Sequence, residues 1–131
     1  MGNETDHQSF ILKPSRAHVG GVGVFALHDI IQGTKLVLHT DGYQQEVRSA
    51  KDVPELLQMY CTSLEDGTLR CPKYFNAMDV GNYLNHSATP NAHKDQNDSF
   101  FATCDIRAGD EILIDYRTLG EPESTWEDYY R

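Results

Sequence analysis

The chain has 131 residues and a mass of 14.8 kDa, which is the size of one domain. Its 11 Lys and Arg residues against 20 Asp and Glu residues give a net charge of −9, with a pI near 4.9. This charge argues against a phosphate-binding nucleic-acid module, because such a module needs clustered cations. An acidic surface either serves solubility or attracts cationic partners, and the charge alone does not separate these two interpretations.

The sequence contains no run of about 18 apolar residues, and its first residues are polar. We therefore expect a soluble, intracellular protein without a membrane-spanning helix or a secretory signal peptide. The cysteines at positions 61, 71 and 104 are odd in number and lack CxxC spacing. This pattern predicts reduced, partly buried thiols rather than a disulfide framework or a zinc site.

Short strands dominate the predicted elements of the first half of the chain. Segments 22–26 and 35–40 are rich in β-branched or aromatic residues and end at turn residues, so each predicts a strand. Between them, segment 30–34 places a glycine between an apolar pair and a strand, which predicts a tight corner. Apolar residues recur at helical spacing in segment 52–63, which predicts one short helix.

The second half of the chain repeats this arrangement. Segments 100–103 and 111–116 predict two further strands, and the glycine of segment 106–110 predicts a second corner. Many short strands with little helix and no alternation of strand and helix predict a mainly β fold, as a single domain over residues 1–131. The glycine cluster 20–23 is not followed by a helix, so no dinucleotide-binding fold is expected.

Three blocks of sequence carry groups suited to binding or chemistry. In block 20–26 the glycines let the main chain approach a ligand closely, although a plain glycine turn is the better interpretation when this block stands alone. Block 83–91 places amide, imidazole and hydroxyl groups in one loop, more densely than a plain loop requires. Block 110–116 is a turn and an apolar strand that ends in a carboxylate and a phenol.

Four residues in and after the second block have side chains that can bind metals: His86, His93, Asp95 and Asp98. Their spacing matches no standard ligand motif. We therefore interpret them as solvated loop residues and expect no bound metal.

The order of the three blocks is more specific than any one of them. A glycine pair leads into a strand, the Asn-His-Ser segment 85–87 follows, and the Asp-Tyr pair 115–116 ends the last strand. In this order the blocks resemble the SET-domain methyltransferases over residues 20–116. A weaker similarity places Tyr60 in the family's central tyrosine strand, so the helix within 52–63 is expected to end before Tyr60.

The resemblance implies a SET-domain fold, with several small sheets around a pseudoknot-like core of the β-clip type. In this core, segment 85–87 passes beneath the loop that carries Tyr116, and the whole core covers about residues 10–117. Many relatives have a cysteine-rich tail that binds zinc, whereas segment 118–131 has no cysteine and takes the place of that tail. A short helix that starts at Ser124 is expected there.

The resemblance also implies an activity, protein-lysine N-methyltransferase. The methyl donor is S-adenosylmethionine, the product is S-adenosylhomocysteine, and the acceptor is a lysine ε-amine of a basic protein of the histone or ribosomal type. A narrow channel beside a sulfonium disfavours the lysine ammonium, so no general base is needed, and Glu111 and Asp115 are assigned to turn and strand-end structure. The alternative is a catalytically silent SET-like module that binds basic peptides. Neither interpretation needs direct contact with nucleic acid or membrane. Whether the protein forms a homodimer is left open.

The cofactor-binding residues follow from the same resemblance. The main chain of Gly21, Val22 and Gly23 is expected to hold the methionine end of the cofactor. Asn85 is expected to bind its charged amino-acid end. His86 is expected to contribute main-chain contacts to the adenine and a side-chain hydrogen bond that pins the crossing segments.

Aromatic side chains complete the expected site. Tyr116 is expected to place its hydroxyl beside the transferring methyl group. Tyr60 is the candidate for a second phenol in the lysine channel, with Tyr74 and Tyr83 as weaker candidates. Trp126 either stacks on the adenine or packs against the core.

Overall fold

The computed structural model describes residues 3–127 and consists mostly of short strands. The single α-helix of this region, α1, covers Glu55–Gln58, and short 3₁₀ segments lie at Ala50–Asp52, Phe75–Ala77, Val80–Tyr83, Tyr116–Thr118 and Glu123–Thr125. The strands are β1 (Phe10–Pro14), β2 (Val22–Ala26), β3 (Lys35–Leu36), β4 (Gln45–Ser49), β5 (Thr62–Ser63), β6 (Thr68–Pro72), β7 (Asn85–His86), β8 (Ala92–Lys94), β9 (Phe100–Ala102) and β10 (Leu113–Ile114).

These strands form four small sheets, as the mainly β prediction requires. Strands β1 and β2 form an antiparallel pair, while β3-β9-β8 and β4-β6-β5 are antiparallel sheets of three strands. The fourth sheet is the parallel pair of β7 and β10, which joins the second and third sequence blocks. Parallel strands need a long connection, and here the connection contains β8 and β9.

Two hydrophobic clusters hold the sheets together. The larger one lies between β2, the β3-β9-β8 sheet and the β7-β10 pair and contains Val24, Ala26, Ile30, Leu36, Leu38, Leu84, Ala92, Ala102, Ile106, Ile112 and Ile114. The smaller one supports the β4-β6-β5 sheet and contains Val53, Leu69 and Cys71. The site described below belongs to the larger cluster, since β7 and β10 border it.

The predicted corners are confirmed. Gly33 and Gly109 have φ of +86° and +92°, a left-handed conformation that glycine adopts without a steric penalty. Just before them, the main chains of Ile30 and Ile106 exchange two hydrogen bonds, of 2.7 and 2.8 Å, which ties one corner to the other.

The predicted strands differ from the observed ones mainly in length. Segment 22–26 is a strand with the predicted bounds, and segment 100–103 ends one residue early. Segment 35–40 is a strand only in its first two residues, and segment 111–116 only at Leu113–Ile114. The last strand stops there because the Asp115 side chain accepts a hydrogen bond from the main-chain N–H of Arg117, which caps a 3₁₀ turn.

The predicted helix over 52–63 is wrong in extent. A 3₁₀ segment ends at Asp52, and α1 begins only at Glu55, because Pro54 holds an extended conformation and disfavours helix in the residue before it. The helix ends at Gln58, before Tyr60, as the family resemblance predicts. Strand β5 then follows.

The three cysteines are free thiols in the structure and differ in burial. Cys71 is buried, Cys61 is half-buried, and Cys104 is exposed rather than partly buried, because it follows β9 in a surface turn. The Cys61 thiol donates to the Cys71 sulfur at 3.0 Å. Within residues 3–127, no helix is long and apolar enough to cross a membrane, and no cluster of His, Cys, Asp and Glu can hold a metal.

Candidate functional site

The three sequence blocks meet at the side chain of Asn85. Its Nδ2 donates hydrogen bonds to the main-chain oxygen of Val22 at 2.9 Å and to Oε2 of Glu111 at 3.0 Å. Asn85 is 8% exposed and stands at the start of β7, where parallel pairing with β10 brings it opposite Leu113. One amide group therefore links the glycine block, the Asn-His-Ser loop and the final strand.

Glu111 is the second centre of this network. The residue is 7% exposed, and its carboxylate also accepts hydrogen bonds from the Ser15 hydroxyl at 2.6 Å and from the main-chain N–H groups of Arg16 and Ala17 at 2.9 and 3.2 Å. Burial alone raises the pKa of Glu111, but the hydrogen bonds from Ser15, Asn85 and the loop outweigh it and lower the pKa. Glu111 is therefore ionised at neutral pH and fixes the 15–17 loop, a role beyond the strand-end structure predicted for it.

Two glycines of the first block are required because other side chains of the protein occupy the space beside them. A Cβ at Gly23 would overlap the Glu111 carboxylate, and a Cβ at Gly21 would overlap the His18 ring. The space that these glycines leave is thus filled by side chains of the protein. That their main chain holds a cofactor stays a prediction.

His86 and Tyr116 connect the two strands of the parallel pair. Nδ1 of His86 accepts the main-chain N–H of Tyr116 at 3.0 Å, so the side chain of His86 links the two segments as predicted. The Tyr116 hydroxyl reaches back and donates to the main-chain oxygen of Leu84 at 2.5 Å. The two rings lie 5.2 Å apart.

The environment of His86 favours its neutral form. Burial lowers its pKa, and this effect is larger than the opposite effect of the Asp115 carboxylate, which lies 3.8 Å from Nδ1. Arg117, which is paired with Asp115 at 2.6 Å, lowers the pKa further. A neutral ring is what the hydrogen bond from Tyr116 requires, because protonated Nδ1 cannot accept.

A cleft opens beside the network, with one wall from the loop after Ser15 and another from the parallel strand pair. The residues that line it are Ala17, His18, Met59, Asn85, His86 and Tyr116. Three of the predicted site residues, Asn85, His86 and Tyr116, therefore share one cavity. Ala17, His18 and Met59 were not predicted, and nothing in their local sequence distinguishes them from ordinary loop residues.

Asn85 lines this cleft, and its side chain keeps one atom, Oδ1, that can accept a further hydrogen bond. Within residues 3–127, both hydrogen bonds of the Asn85 side chain are made by Nδ2, and Oδ1 makes none. Two acceptors, Val22 O and a carboxylate, fix the amide in this orientation. Oδ1 is thus available to a donor in the cleft, such as an ammonium group.

The remaining aromatic candidates lie outside the lining of this cleft. Tyr60 packs edge-on against Tyr83, with ring centroids 5.5 Å apart. Burial and the nearby Tyr60 raise the pKa of Tyr83. Tyr74 is 62% exposed and lines a separate groove with Asp79.

The C-terminal segment differs from its prediction. A 3₁₀ turn over Glu123–Thr125 follows Pro122, and Trp126 is extended, so within the described region no helix starts at Ser124. Proline preceding the turn sets its start, because the fixed φ of proline suits that position. The remainder of the predicted helix, from residue 128, lies outside the described residues.

The same segment is attached to the molecule at defined points. The indole N–H of Trp126 donates to the main-chain oxygen of Glu121 at 3.2 Å. The Glu121 carboxylate accepts the main-chain N–H of Ser63 at 2.7 Å, which ties the segment to β5. Stacking of Trp126 on an adenine stays a prediction.

The family model of the SET domain matches residues 21–117. The chain belongs to the SET-domain family. The match begins at the glycine block and ends just after Tyr116, so it includes the whole network around Asn85. No curated protein matches the sequence of this SET domain.

Solved structures share the fold of this SET domain. A Plasmodium falciparum protein assigned as a histone methyltransferase is 23% identical, with a TM-score of 0.51 over 83% of this chain and 93% of its own. Polycomb Repressive Complex 2 of Chaetomium thermophilum gives a TM-score of 0.61 at 21% identity, over 93% of this chain but only 17% of that one. A form of that complex bound to S-adenosylmethionine gives 0.56 at 23% identity, over 80% and 14%.

Proposed function

We propose that this SET domain transfers a methyl group from S-adenosylmethionine to a lysine ε-amine of a basic protein. The observation that carries the proposal is the network in which Asn85 joins Val22 and Glu111 beside a cleft lined by Tyr116. A Polycomb Repressive Complex 2 structure that is similar in fold over part of its chain is bound to S-adenosylmethionine, which supports the choice of donor.

The residues of the cleft fit this cofactor chemically. Asn85 Oδ1 can accept a hydrogen bond from the ammonium of an amino-acid group, and the ionised Glu111 next to it favours positive charge. When bound, the cofactor supplies a methyl group on a positively charged sulfur. Gly21, Val22 and Gly23 would hold the methionine end, and His86 the adenine through its main chain.

Tyr116 would orient the reacting groups. Its hydroxyl donates a hydrogen bond to the main-chain oxygen of Leu84, so the lone pairs of the phenol oxygen are directed away from that bond. A fixed oxygen of this kind positions a methyl donor and an amine acceptor for in-line displacement. The acceptor lysine must be neutral, and desolvation in a cleft lowers its pKa from about 10.4.

The charge of the molecule supports a basic substrate. A net charge of −9 attracts cationic segments and raises their local concentration. Histone tails and ribosomal proteins have this chemistry. Tyr60, beside Tyr83, remains the proposed second phenol of the lysine channel, and Trp126 a proposed adenine contact.

The test is methyl transfer to a panel of basic proteins, measured with labelled S-adenosylmethionine and by intact mass. Wild type is compared with Tyr116→Phe and with Tyr74→Phe, which changes an exposed tyrosine outside the cleft. We expect transfer to lysine with wild type and Tyr74→Phe, and a rate lower by about 100-fold with Tyr116→Phe.

Each other outcome contradicts a part of the proposal. Label on a residue other than lysine would overturn the acceptor. Cofactor binding without transfer to any substrate would favour the silent peptide-binding module. Absence of cofactor binding in calorimetry would overturn the donor and the enzyme assignment together.

A further inference from the structure

We infer that Glu111 is a positioning residue, whose carboxylate fixes the Asn85 amide with Oδ1 towards the cleft and so sets the affinity for the cofactor. The inference rests on the proposed function for the identity of the ligand. It concerns how the site is built, which the family assignment and the similar structures leave open. It depends on three observations about the buried carboxylate.

The first observation is the symmetry of an asparagine amide. Its oxygen and nitrogen are nearly equal in size, so an amide with few partners can turn over and present either atom. Asn85 Nδ2 is held by Val22 O at 2.9 Å and by Glu111 Oε2 at 3.0 Å. A carboxylate is acceptor-only, so it excludes the turned-over amide, which would place oxygen against oxygen.

The second observation is that Glu111 holds the opposite wall of the cleft as well. Its Oε2 accepts from the Ser15 hydroxyl, and its Oε1 accepts from the N–H groups of Arg16 and Ala17. Ala17 and the following His18 line the cleft. One side chain therefore sets the distance between the loop and Asn85.

The third observation is that neutral groups make all the polar contacts of this carboxylate. Within residues 3–127, no lysine, arginine or histidine forms an ion pair with Glu111. Its negative charge is thus not cancelled by a neighbouring cation. A ligand with an ammonium and a sulfonium gains from that charge in a partly desolvated cleft.

The experiment is a double-mutant cycle on cofactor binding, measured by calorimetry with S-adenosylmethionine and S-adenosylhomocysteine. The proteins are wild type, Glu111→Gln, Asn85→Ala and the double variant. We expect Glu111→Gln to bind at least about tenfold more weakly than wild type. In the Asn85→Ala background we expect the same change to weaken binding by about threefold or less, because the part of its effect that runs through Asn85 is then absent and only the loop contacts and the charge of Glu111 are lost.

A matched control separates this role from a general loss of stability. Asp95 also fastens a loop, since its Oδ1 accepts the main-chain N–H groups of Asn97 and Ser99 at 2.9 Å, but it lies in the β8–β9 turn and does not line the cleft. Asp95→Asn should bind the cofactor as wild type does. Thermal unfolding of every variant identifies those that are folded at the temperature of titration.

The outcomes distinguish this inference from the proposed function. If wild type binds neither ligand, the proposed function is wrong, and this inference, which depends on it, is wrong as well. If wild type binds but Glu111→Gln binds equally well, or if the two losses are additive, only the positioning role of Glu111 is overturned.

A second measurement uses wild type and therefore applies even if Glu111→Gln does not fold. In ¹⁵N NMR spectra of wild type, the side-chain amide of Asn85 is identified as the signal missing from Asn85→Ala. We expect its protons to exchange with water more slowly than those of the exposed asparagines, since both acceptors hold the group. Exchange as fast as that of an exposed asparagine would overturn the inference.

Discussion

Glu111 shows how a buried charge and its surroundings depend on each other. A carboxylate removed from water costs several kcal/mol unless hydrogen bonds replace its hydration. Ser15, Asn85 and two main-chain N–H groups supply those bonds at 2.6 to 3.2 Å. The loop and the amide are therefore needed for stability as well as for the shape of the cleft.

At the same scale, His86 predicts a dependence of stability on pH. The pKa of His86 is lowered in the folded state, because the effect of burial is larger than that of the Asp115 carboxylate. Above pH 6.5, the ordinary pKa, the ring is neutral in the folded and the unfolded state, and the fold has its full stability. The contribution of the neutral ring is lost as the pH falls below 6.5 towards the lowered pKa. We expect the free energy of unfolding to fall there by at most about 1.4 kcal/mol per pH unit through this one group.

The measurement is urea unfolding of wild type and His86→Asn between about pH 7.5 and about pH 5. Asparagine keeps an acceptor for the Tyr116 N–H but does not titrate. His39, whose pKa burial also lowers against the effect of Asp79, contributes in the same range and cancels in the comparison. A constant difference between the two proteins across this range would contradict the prediction.

At the scale of elements, Gly23 controls how β2 packs on the start of the last strand. An added Cβ would overlap the Glu111 carboxylate, which four donors hold in place. We expect Gly23→Ala to destabilise the fold by about 1 to 3 kcal/mol, as overpacking does. Gly42→Ala is the control, because a Cβ there meets no atom within 4 Å and its φ is not left-handed.

Thermal unfolding of the two alanine variants checks this prediction. Gly42→Ala should leave the free energy of unfolding within about 1 kcal/mol of wild type. At a compatible site, replacing glycine by alanine acts mainly by reducing the conformational entropy of the unfolded chain. Equal stability of the two variants would show that the carboxylate moves aside at little cost.

The side chain of Asn91 takes the place of a neighbouring strand for the main chain of residues 111–113. Its Nδ2 donates to Glu111 O and its Oδ1 accepts the Leu113 N–H, both at 2.8 Å, so one side chain satisfies two main-chain groups. We expect Asn91→Ala to lower the free energy of unfolding by about 2 to 4 kcal/mol, because both groups lose a partner. Urea unfolding measures it, with Asn97→Ala in the β8–β9 turn as the control.

The prediction for Asn91 also has a kinetic readout. Hydrogen exchange of the Leu113 N–H should accelerate in Asn91→Ala beyond the general loss of stability, since that group loses its acceptor directly. Unchanged exchange at Leu113 would mean that another group replaces the side chain.

The whole molecule shows which strands can be predicted from sequence. β2 is predictable because its residues are small or apolar and four of its five positions are buried. The sequence does not predict β1, β4, β6, β7 or β8. β1 is largely exposed, and β4 carries polar residues with an exposed Val47. β7 and β8 have only two and three residues, too few to show a pattern. β4 is a strand because it pairs with β6, whose residues lie 19 to 27 positions further along the chain, and the local sequence pattern does not indicate such a pairing.

The same limit applies to the site. Asn85, His86 and Tyr116 were found through the order of the family's blocks, and the structure brings them to one cleft. The sequence predicts only turn and strand-end structure for Glu111, because the implied methyl transfer needs no general base. The available signal was the apolar run 112–114 directly after it, which indicates a strand covered on both faces and a charge buried at its start.

The net charge of −9 leads to a prediction for the molecule as a whole. If the acidic field attracts the proposed substrate, added salt screens that attraction, because the Debye length falls from about 14 Å to about 6 Å between 0.05 M and 0.3 M salt. We expect KM for a lysine-rich peptide to rise severalfold over this range, with kcat nearly constant, since screening weakens encounter and not the chemical step. Steady-state kinetics with a peptide of the same length and a single lysine is the control. An equal response of both peptides to salt would show that the acidic surface serves solubility and takes no part in substrate recognition.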